Sequence, residues 1–237
     1  GGYALFATSN DVSRKWIPVC LNNGVTVIDN SSAFRLDDDV PLVVPCVNGE
    51  LITADKTLYA NPNCTTIQVC VAMNALKTIE PTRMNVVTMQ AASGAGREGL
   101  IDLMEKRTYG RLGSFAHPIA DNVLPKIGEM NDSGFTSEEL KMKFESRKIL
   151  QLPSLAVNCV CTRVAVSTGH SAWINAQFDK PFSTSQVREL LRQQSMLLLL
   201  DNAAADLYPM PSLLRSTRYV GVGRISVDET TENGLNM

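Results

Sequence analysis

Apolar residues fall in short runs along this chain, and their spacing predicts its elements in order. Tyr3-Ala4-Leu5-Phe6-Ala7-Thr8 is an apolar run of strand length. Asp11 follows as a candidate cap for a helix in which Val12, Trp16, Val19 and Cys20 share a face. Gly24 stops that helix, and Val25-Thr26-Val27-Ile28-Asp29 reads as a second strand. Strand, helix, strand with tight turns is a βαβ unit, which predicts a parallel sheet. Leu42-Val43-Val44 and Leu58-Tyr59-Ala60 read as further strands.

Pro62 forbids the strand before it from continuing, because it lacks an N–H and fixes its own φ. Asn63 is a good N-cap for a helix running to about Lys77. Ile67, Cys70, Val71 and Ala75 give that helix one apolar face, and Val69, Ala72, Met73 and Leu76 give it a second. A helix apolar on two faces is expected to be buried on most sides. The pattern then predicts a strand over Arg83–Met89, a turn at Ser93-Gly94-Ala95-Gly96 and a helix over Glu98–Lys106. A loop rich in Gly, Pro and Asn runs from Arg107 to Ser133. Thr136-Ser137-Glu138-Glu139 is a capping box for a helix ending near Leu150. Leu155–Val166 and Ser171–Phe178 read as strands joined by Ser167-Thr168-Gly169-His170. A helix over Ser185–Gln193 and strands over Met196–Leu200 and Tyr219–Val227 complete the pattern. A mixed sheet with helices on one face is the natural packing. The expected fold is α/β. Residues 1–62 form the latter part of a doubly wound nucleotide domain, and residues 63–237 form an α+β mixed-sheet domain.

Composition changes little in that picture. The 237 residues are 44% hydrophobic and 19% charged, with a net charge of −2. That suits a globular protein of one or two domains, and nothing points to a nucleic-acid or membrane-surface partner. No apolar run approaches the roughly 18–20 residues of a membrane span, and no signal peptide opens the chain. The six cysteines are scattered without a Cys-x-x-Cys pair. Reduced thiols in a cytoplasmic protein are therefore expected. The two histidines, His117 and His170, lie far apart and near no spaced cysteines, so no metal site is expected.

Candidate chemistry centres on Cys64, at the start of the helix after Pro62. Free backbone N–H groups and the positive dipole end favour a thiolate there, with a pKa lowered to roughly 3.5–7.5. The same N–H groups can receive an oxyanion. The plain alternative is a small core cysteine. Cysteine catalysis needs a proton acceptor in reach, and only His170 and His117 qualify. His170 lies in a turn between two strands, where a side chain can project into a cleft. Glu138 and Lys141 share a helix face, which on pattern alone is a solvated ion pair. Arg35 on pattern alone is a surface arginine.

Several segments occur together in one order. They are Val27-Ile28-Asp29-Asn30-Ser31-Ser32-Ala33-Phe34-Arg35, Asp39-Val40-Pro41-Leu42-Val43-Val44-Pro45, Asn61-Pro62-Asn63-Cys64-Thr65-Thr66, Gln90-Ala91-Ala92-Ser93-Gly94-Ala95-Gly96, Gly169-His170-Ser171 and Val222-Gly223-Arg224-Ile225. The ordered set resembles the aspartate-β-semialdehyde dehydrogenases over nearly the whole chain. The resemblance implies a Rossmann-type nucleotide domain followed by a catalytic and dimerisation domain, acting as a homodimer with NADP. It implies Cys64 as nucleophile, His170 as acid/base and Gln90 as the residue orienting the substrate carbonyl. It implies Arg163 on the substrate α-carboxylate, Glu138 on its ammonium, and Lys141, Arg35 and Asn63 on phosphate. Ser93, Gly94 and Thr8 are implied at the cofactor. Cys64 would attack aspartate semialdehyde, hydride would leave to NADP, and phosphate would release aspartyl phosphate. The biosynthetic flow, toward lysine, threonine and methionine, is the reverse.

The related family carries a glycine-rich turn at its N-terminus and a returning C-terminal helix, and neither is found here. The chain is therefore expected to be part of a longer enzyme and inactive alone. The discriminator between NADP and NAD is expected outside it. Three positions depart from the family pattern: Thr8-Ser9-Asn10-Asp11 for a glycine-containing turn, Cys46 for a usual Glu, and Ser226 for a common Arg. An acyl-CoA reductase of the malonyl-CoA type on the same scaffold would share Cys64 and His170 and need no ammonium partner at Glu138. A non-catalytic relative is the alternative from another class, and the joint presence of Cys64, Gln90, Arg163 and His170 argues against it. A cysteine hydrolase would have no use for the Ser-Gly-Ala-Gly turn.

Overall fold

The βαβ unit forms as the pattern predicts. In the computed structural model, which describes all residues from Gly1 to Met237, strand β1 (Gly2–Phe6), helix α1 (Asn10–Asn22) and strand β2 (Val25–Asp29) follow one another. The two strands are parallel, with Gly2 opposite Val25 and Phe6 opposite Asp29. A short helix α2 (Pro45–Asn48) precedes strand β3 (Leu58–Ala60), which joins β2 in parallel. Leu42 makes only an isolated bridge to Ala60, so the expected strand over Leu42–Val44 is absent.

Helix α1 corrects the pattern reading. Its N-cap is Ser9, and Asp11 sits in the first turn. Its buried residues are Ser13 and Ile17, whereas Val12, Trp16 and Val19 are exposed. The cause is a polar contact that periodicity does not reveal. Ser13 Oγ donates to the buried Asp29 carboxylate at the end of β2, 3.0 Å away, and this turns the Ser13 face inward.

Helix α3 (Cys64–Asn74) is buried along most of its length: Val69, Cys70, Val71, Ala72 and Met73 are all inaccessible. Strand β4 (Pro81–Gln90) alternates cleanly, turning Met84, Val86, Thr88 and Gln90 inward. Helix α4 (Gly96–Met104), strand β5 (Val123–Leu124) and helix α5 (Ser137–Leu150) follow. The capping box at α5 is present, with Thr136 and Glu139 bonding each other's backbone N–H. Strands β6 (Ala156–Val164) and β7 (Ser171–Phe178) then flank β4, the first parallel and the second antiparallel. Helix α6 (Thr184–Gln193), strand β8 (Leu197–Leu199), helix α7 (Pro211–Leu214) and strands β9 (Val220–Val222), β10 (Ser226–Asp228) and β11 (Gly234–Asn236) complete the chain.

The central sheet has the order β10-β11-β7-β4-β6-β5, and β8 pairs with β9 apart from it. Helices α3 and α5 pack together on one face of this mixed sheet, as the α+β reading expects. The single strand expected over Tyr219–Val227 is instead two strands in different sheets. Asp201 causes the break, because its Oδ1 accepts from Arg224 N and Ile225 N. Arg224 is held at φ 58°, and the chain swings from β9 into β10.

Candidate active site

Strand register gathers the candidate residues. Gln90 ends β4 directly opposite Arg163 near the end of parallel β6. Antiparallel β7 begins beside Met89, so its entering turn, with His170, comes to the same end of the sheet. Helix α3 starts from Asn63 and α5 from Thr136, and both lie on the covered face. Two strand ends, one strand start and two helix N-termini thus present Gln90, Arg163, His170, Cys64 and Glu138 together.

Asn63 builds the start of α3. Its Oδ1 accepts from Thr65 N and Thr66 N, which satisfies two of the helix's orphan donors. Its Nδ2 donates to Glu138 Oε1 at 2.8 Å, and its own backbone N donates to Glu145 Oε2 at 2.7 Å. Cys64, next along, is the only one of the six cysteines classed as exposed. The expected low pKa is not what the surroundings give. Burial of the sulfur among its neighbours pushes the thiol up, Glu138 adds to this, and Thr65 and Arg163 offset it only in part. Solvent reaches the residue, yet its sulfur lies against the wall of a cleft.

Glu138 is the polar hub. Its carboxylate receives Asn63 Nδ2, Gln90 Nε2 at 3.3 Å and Lys141 Nζ at 3.2 Å. Burial works against its charge, but Lys141, Asn63 and Gln90 together hold it below the usual carboxylate range. Lys141 is therefore paired with Glu138 as the bare pattern favoured, but the pair is not the solvated one expected, because Glu138 is buried. Arg35 is not a surface arginine. It is buried and bonded through Nη1 to Glu145 and through Nη2 to Asn30 O, both at 3.0 Å. Its Nε is buried without a partner. Glu145 thus ties the Arg35 loop to the backbone of Asn63. Burial pushes its carboxyl up, and Arg35 and the Asn63 N–H pull it back only in part. Sequence reasoning missed Glu145, although it lies two turns beyond Glu138 on the same helix.

The backbone of Ala91 joins the remaining two groups. Its N–H donates to His170 Nδ1 at 2.9 Å, and its C=O accepts from Arg163 Nη1 at 2.8 Å. Arg163 is 6% exposed and has no carboxylate in ion-pair range, because Ala91 O is its one hydrogen-bond partner. Burial lowers its pKa, and Glu138 works in the opposite direction. Gly94 packs on this pair: a Cβ there would meet Arg163 Nη1 at 2.5 Å and His170 Cε1 at 3.1 Å. His117 lies elsewhere, exposed and bonded to Tyr109.

A cavity of about 480 Å³ opens beside Cys64 and His170, walled by Ala72, Ile174, Leu214 and Val222. Arg163, Glu138 and Gln90 do not line it. Cys64 and His170 therefore stand where an apolar cavity meets a polar cluster. On the nucleotide side, Thr8 is exposed in the turn after β1, and its Oγ1 lies 3.1 Å from Ser13 Oγ. That turn lies outside the carboxyl ends of parallel strands, where α/β sheets bind ligands. Gly94 lies so close to Arg163 and His170 that a side chain there would collide with both. These features fit a dinucleotide. Asp29, at the end of β2, is fully buried and accepts from Ser13 and Ser31.

Residues 2–54 match the model of the semialdehyde dehydrogenase NAD binding domain, and residues 73–237 match that of the semialdehyde dehydrogenase dimerisation domain. An aspartate-semialdehyde dehydrogenase of Aquifex aeolicus is 40% identical over 99% of this chain and 72% of its own length. The chain belongs to the aspartate-semialdehyde dehydrogenase family. The crystal structure of aspartate semialdehyde dehydrogenase II from Vibrio cholerae superposes with a TM-score of 0.91 at 38% identity, covering 99% of this chain and 72% of that one. A structure of that enzyme complexed with ASA matches equally well, at 37% identity. The α/β fold and the presence of a nucleotide-binding domain follow for this member of the family, and none of its helices is long and apolar enough to cross a membrane.

Proposed function

We propose that the protein is an NADP-dependent aspartate-semialdehyde dehydrogenase. It reduces L-aspartyl 4-phosphate to L-aspartate 4-semialdehyde with release of phosphate, in the branch leading to lysine, threonine and methionine. The division at residues 62 and 63 separates a nucleotide-binding unit from a catalytic one. The observation that carries this reading is Arg163. A buried guanidinium with one backbone bond and no carboxylate partner, beside an exposed cysteine, is suited to an anionic substrate. Glu138, held ionised at the other side of Cys64, suits the substrate ammonium.

Cys64 attacks the acyl carbon as thiolate, and the carbonyl pair moves to oxygen. The oxyanion collapses, phosphate leaves with the bonding pair, and a thioester remains on Cys64. Gln90 and His170 serve the carbonyl oxygen, and Arg163 and Glu138 fix the amino-acid end. Lys141 and Arg35 serve the phosphate, each by exchanging a carboxylate partner for it. Thr8, Ser93 and Gly94 would hold NADPH, whose chemistry would be hydride donation to the thioester carbon. Reduction returns Cys64 as thiolate. The test compares substrates for the enzyme expressed from its complete coding sequence. NADPH oxidation with aspartyl phosphate is expected to exceed that with malonyl-CoA by about 10⁴-fold, the scale for a site left with unpaired polar groups. Equal rates would favour an acyl-CoA reductase, and preference for NADH would remove the NADP assignment.

A homodimer is part of the same proposal. The sheet face opposite α3 and α5 leaves Met89, Val160 and Trp173 exposed on its three central strands. Such an apolar stripe, on the unit that matches the dimerisation domain, suits a second copy. Trp173→Arg is expected to convert a two-chain species to a one-chain species in sedimentation velocity. An unchanged mass would place the contact elsewhere.

A further inference from the structure

The loop that carries Arg35 has little structure of its own. No helix or strand lies between Asp29 and Pro45, and residues 36–39 are exposed. Within the loop, Asp37 N donates to Phe34 O and Val40 N donates to Asp37 O. A further attachment comes from α5. Lys148 Nζ donates to Arg35 O at 3.0 Å, to Asp37 O at 2.7 Å and to Val40 O at 2.8 Å. An ammonium has three N–H donors, so Lys148 gives all of them to this one loop. The helix dipole explains a basic residue in the last turn of α5. It does not explain three acceptors from a single segment 108–113 residues away. Burial lowers the Lys148 pKa, and Asp38 and Asp37, in the same loop, oppose that shift.

We propose that Lys148 is a positioning residue for phosphate: it holds the backbone of residues 35–40 in place while the Arg35 guanidinium exchanges Glu145 for phosphate. The inference rests on the proposed reaction, in which Lys141 and Arg35 serve the phosphate. Lys148 lies two turns beyond Lys141 on the same face of α5. The helix therefore carries one of the two cations and holds the other by its backbone. The Arg35 loop belongs to the unit that matches the NAD binding domain, and α5 belongs to the unit that matches the dimerisation domain. Lys148 thus fixes the two halves of the phosphate site against each other.

Glu145 cannot fill this role. It binds the guanidinium itself, through Oε1 to Nη1, and that bond is the one given up to phosphate. Lys148 binds only carbonyl oxygens of the loop, so its grip survives the exchange. The precision matters in the phosphorylating direction. A phosphate oxygen attacks the thioester carbon, the C–O bond forms, and sulfur leaves with the C–S pair as thiolate. A reactant misplaced by about 1 Å at such a step costs about 10²-fold in rate.

The test uses the enzyme expressed from its complete coding sequence, oxidising aspartate semialdehyde with NADP and inorganic phosphate. Lys148→Met keeps the apolar stem and removes all three donors. It is expected to lower kcat/KM for phosphate by about 10–10²-fold and to leave KM for the aldehyde within about twofold. On an Arg35→Ala background the same substitution is expected to cost less than about twofold, because residues that act as one unit are not additive. Equal losses on both backgrounds would show that Lys148 does not act through Arg35, and would overturn the proposal. A fall in kcat alone, with both KM values unchanged, would make Lys148 a structural residue and overturn it as well. Lys148→Gln, which keeps an amide donor, enters the same cycle should methionine prevent folding. Amide hydrogen exchange supplies an arm that does not depend on turnover. Residues 36–40 are expected to exchange faster in Lys148→Met while α3 is unchanged, and unchanged exchange in the loop would remove the grip. A wild-type enzyme that oxidises the aldehyde at one rate with or without phosphate would sink the proposed reaction itself. The proposal fails on its own account when the wild type depends on phosphate and Lys148→Met leaves that dependence as it was.

Discussion

Cys64→Ser is expected to lower turnover of aspartyl phosphate by about 10⁴-fold or more, the scale seen when a nucleophile is removed from a working site. The substitution is nearly isosteric, so the loss is chemical. A serine hydroxyl stays protonated across the neutral range and is a far weaker nucleophile than a thiolate. The thiol differs because even a small ionised fraction is intrinsically very nucleophilic. Burial and Glu138 hold that fraction down, so iodoacetamide labelling of Cys64 should speed up steadily as pH rises from neutral toward 9, with no plateau at mildly acidic pH. Cys64 is also the one exposed thiol, with Cys20 and Cys46 half-buried and the other three buried. Peptide mapping after brief labelling should therefore find Cys64 modified first. Prior labelling of Cys20 or Cys46, or a serine variant with ordinary turnover, would remove Cys64 from the mechanism.

The low pKa expected from the position of Cys64 shows where local pattern stops. The start of α3 was readable because Pro62 and Asn63 act within one turn. What sets the ionisation of Cys64 is first its burial by elements remote in sequence, with Glu138 on α5 and Arg163 on β6 adding smaller effects of opposite sign. The same division holds through the fold. The capping box of α5, the alternation of β4 and the βαβ unit are short-range signals, and all three stand in the structure. The face of α1 differs from the pattern: Ser13 and Ile17 lie inside, Ser13 bonded to Asp29, while Val12 and Trp16 stay exposed. The strand β11 is only three residues, Gly234–Asn236, and exists because β7 offers it an edge to pair with. Neither partner is visible from its own neighbourhood.

The site was legible as a set of residues and illegible as a network. The ordered motifs contain Cys64, Gln90 and His170, the resemblance they carry implies Glu138 and Arg163, and strand register with two helix N-termini gathers the five at one end of the sheet. Their mutual bonds were hidden. Spacing predicts that Lys141 pairs with Glu138, but nothing in it says that Glu138 also receives Asn63 and Gln90, or that Arg35 is turned onto Glu145. The peptide of Ala91, which clamps His170 and Arg163 at once, carries no side-chain signature at all. Backbone donors and acceptors are common to every residue, so only the fold can reveal which of them a site uses.

Arg163→Leu is expected to separate stability from activity. A buried cation without an anion partner costs free energy in the unliganded fold, and Arg163 has only Ala91 O. Leucine removes that cost and fills similar apolar volume, while Ala91 O loses one hydrogen bond worth about 1 kcal/mol. The Tm of the variant should therefore be unchanged or slightly higher. The substrate carboxylate, by contrast, would enter the site with no cation to meet it. Loss of one partner from a buried charge pair costs about 2–5 kcal/mol, so kcat/KM should fall roughly 30-fold to several thousandfold. Arg163→Lys keeps the charge and loses the planar fork, so its effect should be smaller and fall mainly on KM. Thermal melts with steady-state kinetics on both variants decide the matter. A leucine variant that melts early would show Arg163 to be a structural residue. A lysine variant with unchanged KM would show that the substrate carboxylate is held elsewhere.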